Sequence, residues 1–374
     1  MDIPRYILIA ASALLTIILL GEWTRFSAEQ KDSALQTIPM VTTDHNVSDK
    51  AFLDNTKPRD SLNNDIPEVL QADVQETKLL SDSDILDSEL ISVITDTLNV
   101  IIDLNGGDIV GVALPQYPKT LANLADAFVL LERNSKRHYV AQSGLIGPDG
   151  IDHSGRAQFS TLKQTFKQDP GKELIVTLRL LDPEPGLTVF KYFKFLPDSY
   201  VVSVEYEIFN GTNSLIRMVP FAQLKRDSSE APKNSDSGMG MKPFLGAALT
   251  RPDQRFAKFS FDDIEDAPFQ SKLEGGWVAM LQHYFVTAWV PNPKSTHNFQ
   301  TRRTNTGFNI IGYTNPPLTI APQETASLKN QLYAGPKNQK DLANLAPHLD
   351  LVVDYGWLWW LAQPLFWLLM MIQS

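Results

Sequence analysis

The stretch from Leu174 to Asn210, LIVTLRLLDPEPGLTVFKYFKFLPDSYVVSVEYEIFN, decides the fold. Leu174, Val176, Leu178 and Leu180 recur at every second position, and the run ends at the turn formers Pro183-Glu184-Pro185-Gly186. LTVFKYFKFL follows, then Pro197-Asp198, then a segment in which Val202, Val204, Tyr206 and Ile208 share one face. A period of two sends successive side chains to opposite faces of a strand, whereas a helix needs apolar positions three and four apart. Short turns between such runs predict antiparallel neighbours with one face toward a core.

The pattern continues on both sides. Leu98, Val100, Ile102 and Leu104 alternate with Asn99, Ile101 and Asp103, and Asn105-Gly106-Gly107 turns the chain into Ile109, Val110 and Val112, a hairpin signature. Further short strands are expected at 217–224, 277–290, 308–313 and 325–333. The 24 prolines suit loops and sheet edges better than a helical bundle. Residues 228–242, SSEAPKNSDSGMGMK, read as a loop, and helical character returns near Pro336–Ala346. The body from 90 to 335 is therefore expected to be mainly β, a large antiparallel sandwich, followed by a helical connector over 336–352.

Charge is distributed unevenly. Residues 27–89 hold five Lys/Arg against fourteen Asp/Glu, nearly all of the net charge of −10. Their apolar residues are scattered without a period, so they bury too little surface to offset chain entropy and read as an acidic tether. The rest of the chain is near neutral, which argues against nucleic acid as a partner, because that role needs a basic surface. With no cysteine, disulfides and thiolate metal or redox sites are excluded.

Both ends are apolar. Residues 3–23, IPRYILIAASALLTIILLGEW, would make about 31 Å of helix, enough to cross a bilayer core. Arg5 sits before the apolar run and Trp23 after it. The small-x-small cleavage pattern of a signal peptide is missing, so residues 1–26 are expected to be a retained anchor with a cytoplasmic start. At the other end, residues 353–372 read VDYGWLWWLAQPLFWLLMMI and hold four of the seven tryptophans. Trp favours the membrane–water boundary, where its ring is buried and its N–H stays hydrated. Gln363-Pro364 interrupts the run, and the Trp residues cluster in its first half. An interfacial helix over 353–374 therefore fits better than a span.

No catalytic, cofactor or metal residue is nominated. The six histidines are dispersed, and no zinc-protease helix motif or nucleophile elbow is present. His283, within WVAMLQHYFVTAW, is read as a hydrogen-bonded strand residue rather than part of a site. Asp149, Asp152 and His153 in GPDGIDH are read as a turn cluster rather than a metal loop. Asn210-Gly211-Thr212 matches a glycosylation sequon, but a role in the strand-end turn accounts for it.

The run HLDLVVDYGWLWWLAQPLFWLL (348–369) resembles a segment of the membrane protein insertases, in their Gram-negative YidC branch. So do LNGGDIVGVALPQYPK (104–119), AQSGLIGPDG (141–150) and GGWVAMLQHYFVTAW (275–289). The resemblance implies a periplasmic β-supersandwich with a short helical element, an N-terminal transmembrane helix and a Trp-rich membrane helix. It also implies residence in the inner membrane and a non-enzymatic role in inserting and folding membrane proteins. The implied partners are inner-membrane lipids, nascent membrane proteins, and the Sec translocon with its accessory proteins. The family's membrane core would follow Ser374, so no residue of that core can be assigned, and the chain is expected to be a fragment or a truncated product. The alternatives are a periplasmic carbohydrate-binding or mutarotase-like protein, which would need an open polar groove, and a membrane-anchored periplasmic chaperone or adaptor.

Overall fold

Gly106 and Gly107 both take positive φ, +85° and +59°, and close the first long hairpin. A Cβ at Gly106 would lie 2.5 Å from the Arg156 guanidinium, so this turn needs glycine both for its backbone and for what packs beneath it. The structure, a computed structural model, describes residues 66–67, 90–120, 123–181, 183–229, 244–251 and 254–353. All of these lie in the unit Asp60–Ser374. The anchor, the Trp-rich tail beyond Val353, and all but two residues each of the acidic tether and the 228–242 loop lie outside them.

The chain before the central meander forms β1 (Leu90–Ile94), β2 (Asn99–Asp103), β3 (Asp108–Thr120), β4 (Asn123–Arg133), β5 (His138–Ile146), β6 (Phe159–Ser160) and β7 (Thr165–Lys167). The meander itself is β8 (Leu174–Leu180), β9 (Leu187–Phe195) and β10 (Val201–Asn210). Then come β11 (Ile216–Arg226), β12 (Gly246–Leu249), β13 (Ala257–Phe259), the short helix α1 (Phe261–Asp266) and β14 (Gln270–Glu274). The remainder is β15 (Val278–Leu281), β16 (Phe285–Val290), β17 (Thr296–Arg303), β18 (Asn309–Thr314), β19 (Leu318–Ile320), β20 (Thr325–Pro336) and α2 (Gln339–Leu345). A 3-10 turn over Leu349–Val352 closes the described chain.

Among the described residues these strands make two sheets. One runs β14-β17-β18-β11-β5-β4-β3-β2-β1-β7, with β19 added on β11; the other runs β13-β12-β15-β16-β20-β10-β9-β8-β6. The pairings are antiparallel except β1 with β7, where Ser92 faces Thr165 in a parallel register. The expected mainly β, largely antiparallel sandwich is what forms.

The meander shows why. Leu187, Val189, Phe193 and Phe195 of β9 point inward with Val202, Val204, Tyr206 and Ile208 of β10, all at most 5% exposed. The intervening positions are half-buried or exposed. Val100 and Ile102 of the opposite sheet join the same core. The period of two thus becomes a shared apolar layer between sheets.

The 277–290 run differs from expectation. It is a hairpin, not one strand: Val278 pairs with Trp289 and Leu281 with Val286, and the amide of Gln282 donates to the carbonyl of Phe285. Both faces of this hairpin are buried, so its two arms are apolar without alternation, and only Gln282-His283 marks the reversal at 282–284.

Candidate functional site at the connector

The residues weighed from sequence do not converge. His283 lies in the exposed β15–β16 turn, its ring stacked on Tyr284 at 3.9 Å between centroids. This corrects its reading as a strand residue, because the reversal places it at the hairpin tip. Partial burial and nearby Lys337 lower its pKa.

Asp149 and His153 are turn residues, as read. Asp149 accepts from the Arg217 amide at 2.7 Å, and His153 Nδ1 lies 2.7 Å from the Gly150 carbonyl. Asn210 is fully buried, its Nδ2 donating to the carbonyls of Ser214 and Ile320 at 2.8 and 2.9 Å, so it serves the strand-end turn. Among the described residues no group of three His, Cys, Asp or Glu could hold a metal.

Asp152 does more than shape a turn. It is 2% exposed and accepts from the amides of Leu145 and Ala157 and from Arg156 Nη1 at 2.8–3.1 Å. Arg156 also pairs with Asp108 and donates to the carbonyls of Gly106 and Ser143. Lys191, on β9 in phase with the apolar residues, is 0% exposed. Its Nζ donates to the same two carbonyls at 3.0 and 3.2 Å and lies 5.1–6.0 Å from the ring centres of Phe159, Phe193 and Tyr206. Burial pulls its pKa down to about 7, and Arg156 adds to that, while Asp108 and Asp152 oppose it.

A second chain of polar groups runs across four strands. Gln142 donates to Asp108, Gln223 to Gln142, and Arg302 to Gln223, at 2.9–3.1 Å. Gln142 and Gln223 are buried and spend these groups on each other. The arrangement is that of internal struts, and it does not favour an open sugar-binding groove.

The connector offers a different kind of site. Asn338 caps α2, its side chain accepting from the Lys340 amide at 3.1 Å. Leu342, Ala346, Leu349 and Val352 then fall four, three and three residues apart, and all are buried. They pack on Trp277, Ala279, Leu281, Val286, Ala288, Val290 and Tyr333, a cluster separate from the inter-sheet core.

Alternation explains the arrangement. Val278 and Met280 of β15 point into the sandwich, and Ala279 and Leu281 point out beneath the connector. Trp277 is fully buried, and its Nε1 donates to the Pro347 carbonyl at 3.1 Å. His348 takes φ of +66° where the chain enters the 3-10 turn. The segment leading to the Trp-rich tail is thus clamped to the sheet. Beside the clamp, a cleft of about 270 Å³ is lined by Asp198, Tyr200, Tyr333, Asp341, Asn344 and Leu345. No helix among the described residues is long and apolar enough to cross a membrane.

Residues 90–368 match the family described as the YidC periplasmic domain. The membrane protein insertase YidC of Marinomonas sp. (strain MWYL1) is 38% identical over 379 residues, covering 100% of this chain and 66% of its own length. That of Ectopseudomonas mendocina (strain ymp) is 38% identical over 403 residues, covering 100% and 67%. The chain thus spans about two thirds of the length of these relatives. Among solved structures, a galactose mutarotase related enzyme from Lactobacillus acidophilus is 9% identical with a TM-score of 0.42, covering 66% of this chain and 97% of its own. Likeness of that degree carries no argument about chemistry.

Proposed function

The chain belongs to the YidC family of membrane protein insertases, and from that premise we propose that it works in inserting and folding inner-membrane proteins, alone or with the Sec translocon. The observation carrying this reading is similarity over the whole chain to proteins bearing that name. In this reading residues 1–26 anchor the chain with its start in the cytoplasm, 27–89 tether, and 90–335 form the periplasmic body. Residues 336–352 connect the body to an interfacial helix over 353–374.

The role is that of a scaffold rather than an enzyme. The buried carboxylates Asp108 and Asp152 are held by Arg156, and Lys191 is spent on backbone carbonyls. The clamp supplies the mechanical element, since a connector fixed to the sheet sets the direction in which the Trp-rich segment leaves. Inner-membrane lipids, nascent membrane proteins and the translocon are the partners this role requires.

The experiment uses a Gram-negative host depleted of its own insertase. The complete reading frame that contains this chain should restore membrane insertion of a reporter, and photo-crosslinkers on the body should capture translocon subunits. Failure to restore insertion, with the protein stably made and membrane-bound, would overturn the reading.

A further inference from the structure

The 11-stranded sheet has an outer face that is buried yet belongs to neither apolar cluster. Across β5, β11, β18 and β17 the register places Val140, Lys225, Ile310 and Arg302 in one row. Gln142, Gln223, Gly312 and Gln300 form the next row. The intervening Ala141, Leu224 and Ile311 line the inter-sheet core, so the two rows point away from it. Val140, Lys225 and Ile310 are nonetheless at most 6% exposed. The connector covers the other sheet, and the loop after β5 covers a different part of this one. There Arg156 packs over the Phe221 ring at 5.5 Å, and a Cβ on Gly144 would meet Asp152. Val140 and Lys225 lie four residues further along their strands, about 13 Å away. Both charged residues of their row are basic, and Lys225 Nζ sits 4.3 Å from the centre of the Phe308 ring.

The tether carries a matching segment. Ile66 is half-buried and Pro67 is buried, and both belong to the same compact unit as the sandwich. Proline is mostly a surface residue, and the neighbours of an extended chain leave most of its ring open, so Pro67 packs against a surface beyond its own segment. The proline also holds Ile66 extended, the shape that lies along a sheet face. In sequence the pair is flanked by Asp65 and Glu68. We propose that Ile66-Pro67 docks on this outer face, its apolar side chains over Val140 and Ile310 and its flanking acids toward Lys225 and Arg302. Residues 230–243, which follow β11, are the rival cover. They carry Glu230 and Asp236 against Lys233 and Lys242, and so bring no net charge to a basic row. Docking fastens the tether to the body and leaves residues 27–64 as the chain between the N-terminal segment and the sandwich. The inference does not depend on the insertase reading.

The test uses the full 374-residue chain in detergent micelles. The chain has no cysteine, so one introduced thiol reports its own surroundings to a maleimide reagent. Val140→Cys should label slowly, and adding Ile66→Asp/Pro67→Asp should speed labelling about tenfold as the thiol loses its cover. Val286→Cys, beneath the connector, should stay slow in both backgrounds, which separates undocking from unfolding. A peptide of residues 64–70, NDIPEVL, should slow the Val140→Cys thiol of the substituted chain again. If the Val286→Cys thiol also accelerates, Asp65→Asn/Glu68→Gln takes the place of the harsher pair, with labelling of Val140→Cys expected to rise two- to fivefold at low salt. Unchanged labelling of Val140→Cys on altering the tether would overturn the proposal. Acceleration only when residues 231–242 are replaced by Gly and Ser would identify that stretch as the cover and the tether assignment as wrong.

Discussion

Lys191 is the residue whose role was least visible in the sequence and whose energetics are the sharpest. LTVFKYFKFL shows a lysine in phase with Leu187, Val189, Phe193 and Phe195, which is the signal that it points inward. Nothing local says what receives it. The acceptors are carbonyls at Gly106 and Ser143, 85 and 48 residues away in sequence. The linkage sign follows from its lowered pKa. In the folded chain the ammonium titrates at about 7, and in the unfolded chain near 10.4. Below pH 7 both states are charged and the full cost of burial opposes folding. As pH rises from 7 toward 10.4 the folded state releases its proton first, so the unfolded state binds more protons and stability increases. The gain is on the order of 4–5 kcal/mol if the titration is completed. In urea unfolding, the midpoint of the wild type should therefore rise from pH 7 to pH 9 relative to Lys191→Met. A constant offset between the two proteins across that window would show that Lys191 does not titrate there.

At the scale of elements, the clamp is the feature with the clearest consequence. Helical spacing in 336–346 was legible, because Leu342, Leu345 and Ala346 recur at helical intervals after a capping Asn338. The surface that receives it was not, because β15 and β16 are apolar on both faces and only the short Gln282-His283-Tyr284 segment separates them. Period-two reasoning fails where both faces of a strand are buried, one by the opposite sheet and one by the connector. Leu342→Ala should loosen the connector by about 2–5 kcal/mol, the usual range for a fully buried leucine. Hydrogen exchange would report this as faster amides in α2 with those of β9 and β10 still protected. Uniform acceleration through the sandwich would instead mean that the connector belongs to the same cooperative unit. Trp277→Phe keeps most of the ring contact but removes the bond to the Pro347 carbonyl. It should cost about 1 kcal/mol by the same measurement.

For the molecule as a whole, the two sheets supply their own apolar layer, so a fragment over 90–353 should fold without either terminal segment. Far-UV circular dichroism should show a β spectrum with a cooperative thermal transition, and an unfolded or helical spectrum would contradict a self-sufficient core. The terminal run is tested separately. If residues 353–374 lie in the interface, replacing Trp357, Trp359 and Trp360 by Ala should weaken liposome flotation of a chain lacking residues 1–26, since an indole that enters the membrane boundary contributes on the order of 1–2 kcal/mol. Trp emission characteristic of the bilayer centre would favour a span over an interfacial helix. The sequence by itself determined the class of fold and the places of most central strands, because alternation and turn residues act within a few positions along the chain. It also carried the family, through motifs whose order is preserved from one end to the other. The tertiary structure alone decided that Asp108, Asp152, Arg156 and Lys191 form one buried network, that the 277–290 run reverses at His283, and that Asp198 and Asp341 share a cleft. The network and the cleft depend on segments tens to more than a hundred residues apart, and nothing in the local pattern of either segment encodes which partner it will meet; the reversal is local, but burial of both faces of its two arms removes the alternation that would have marked them as separate strands.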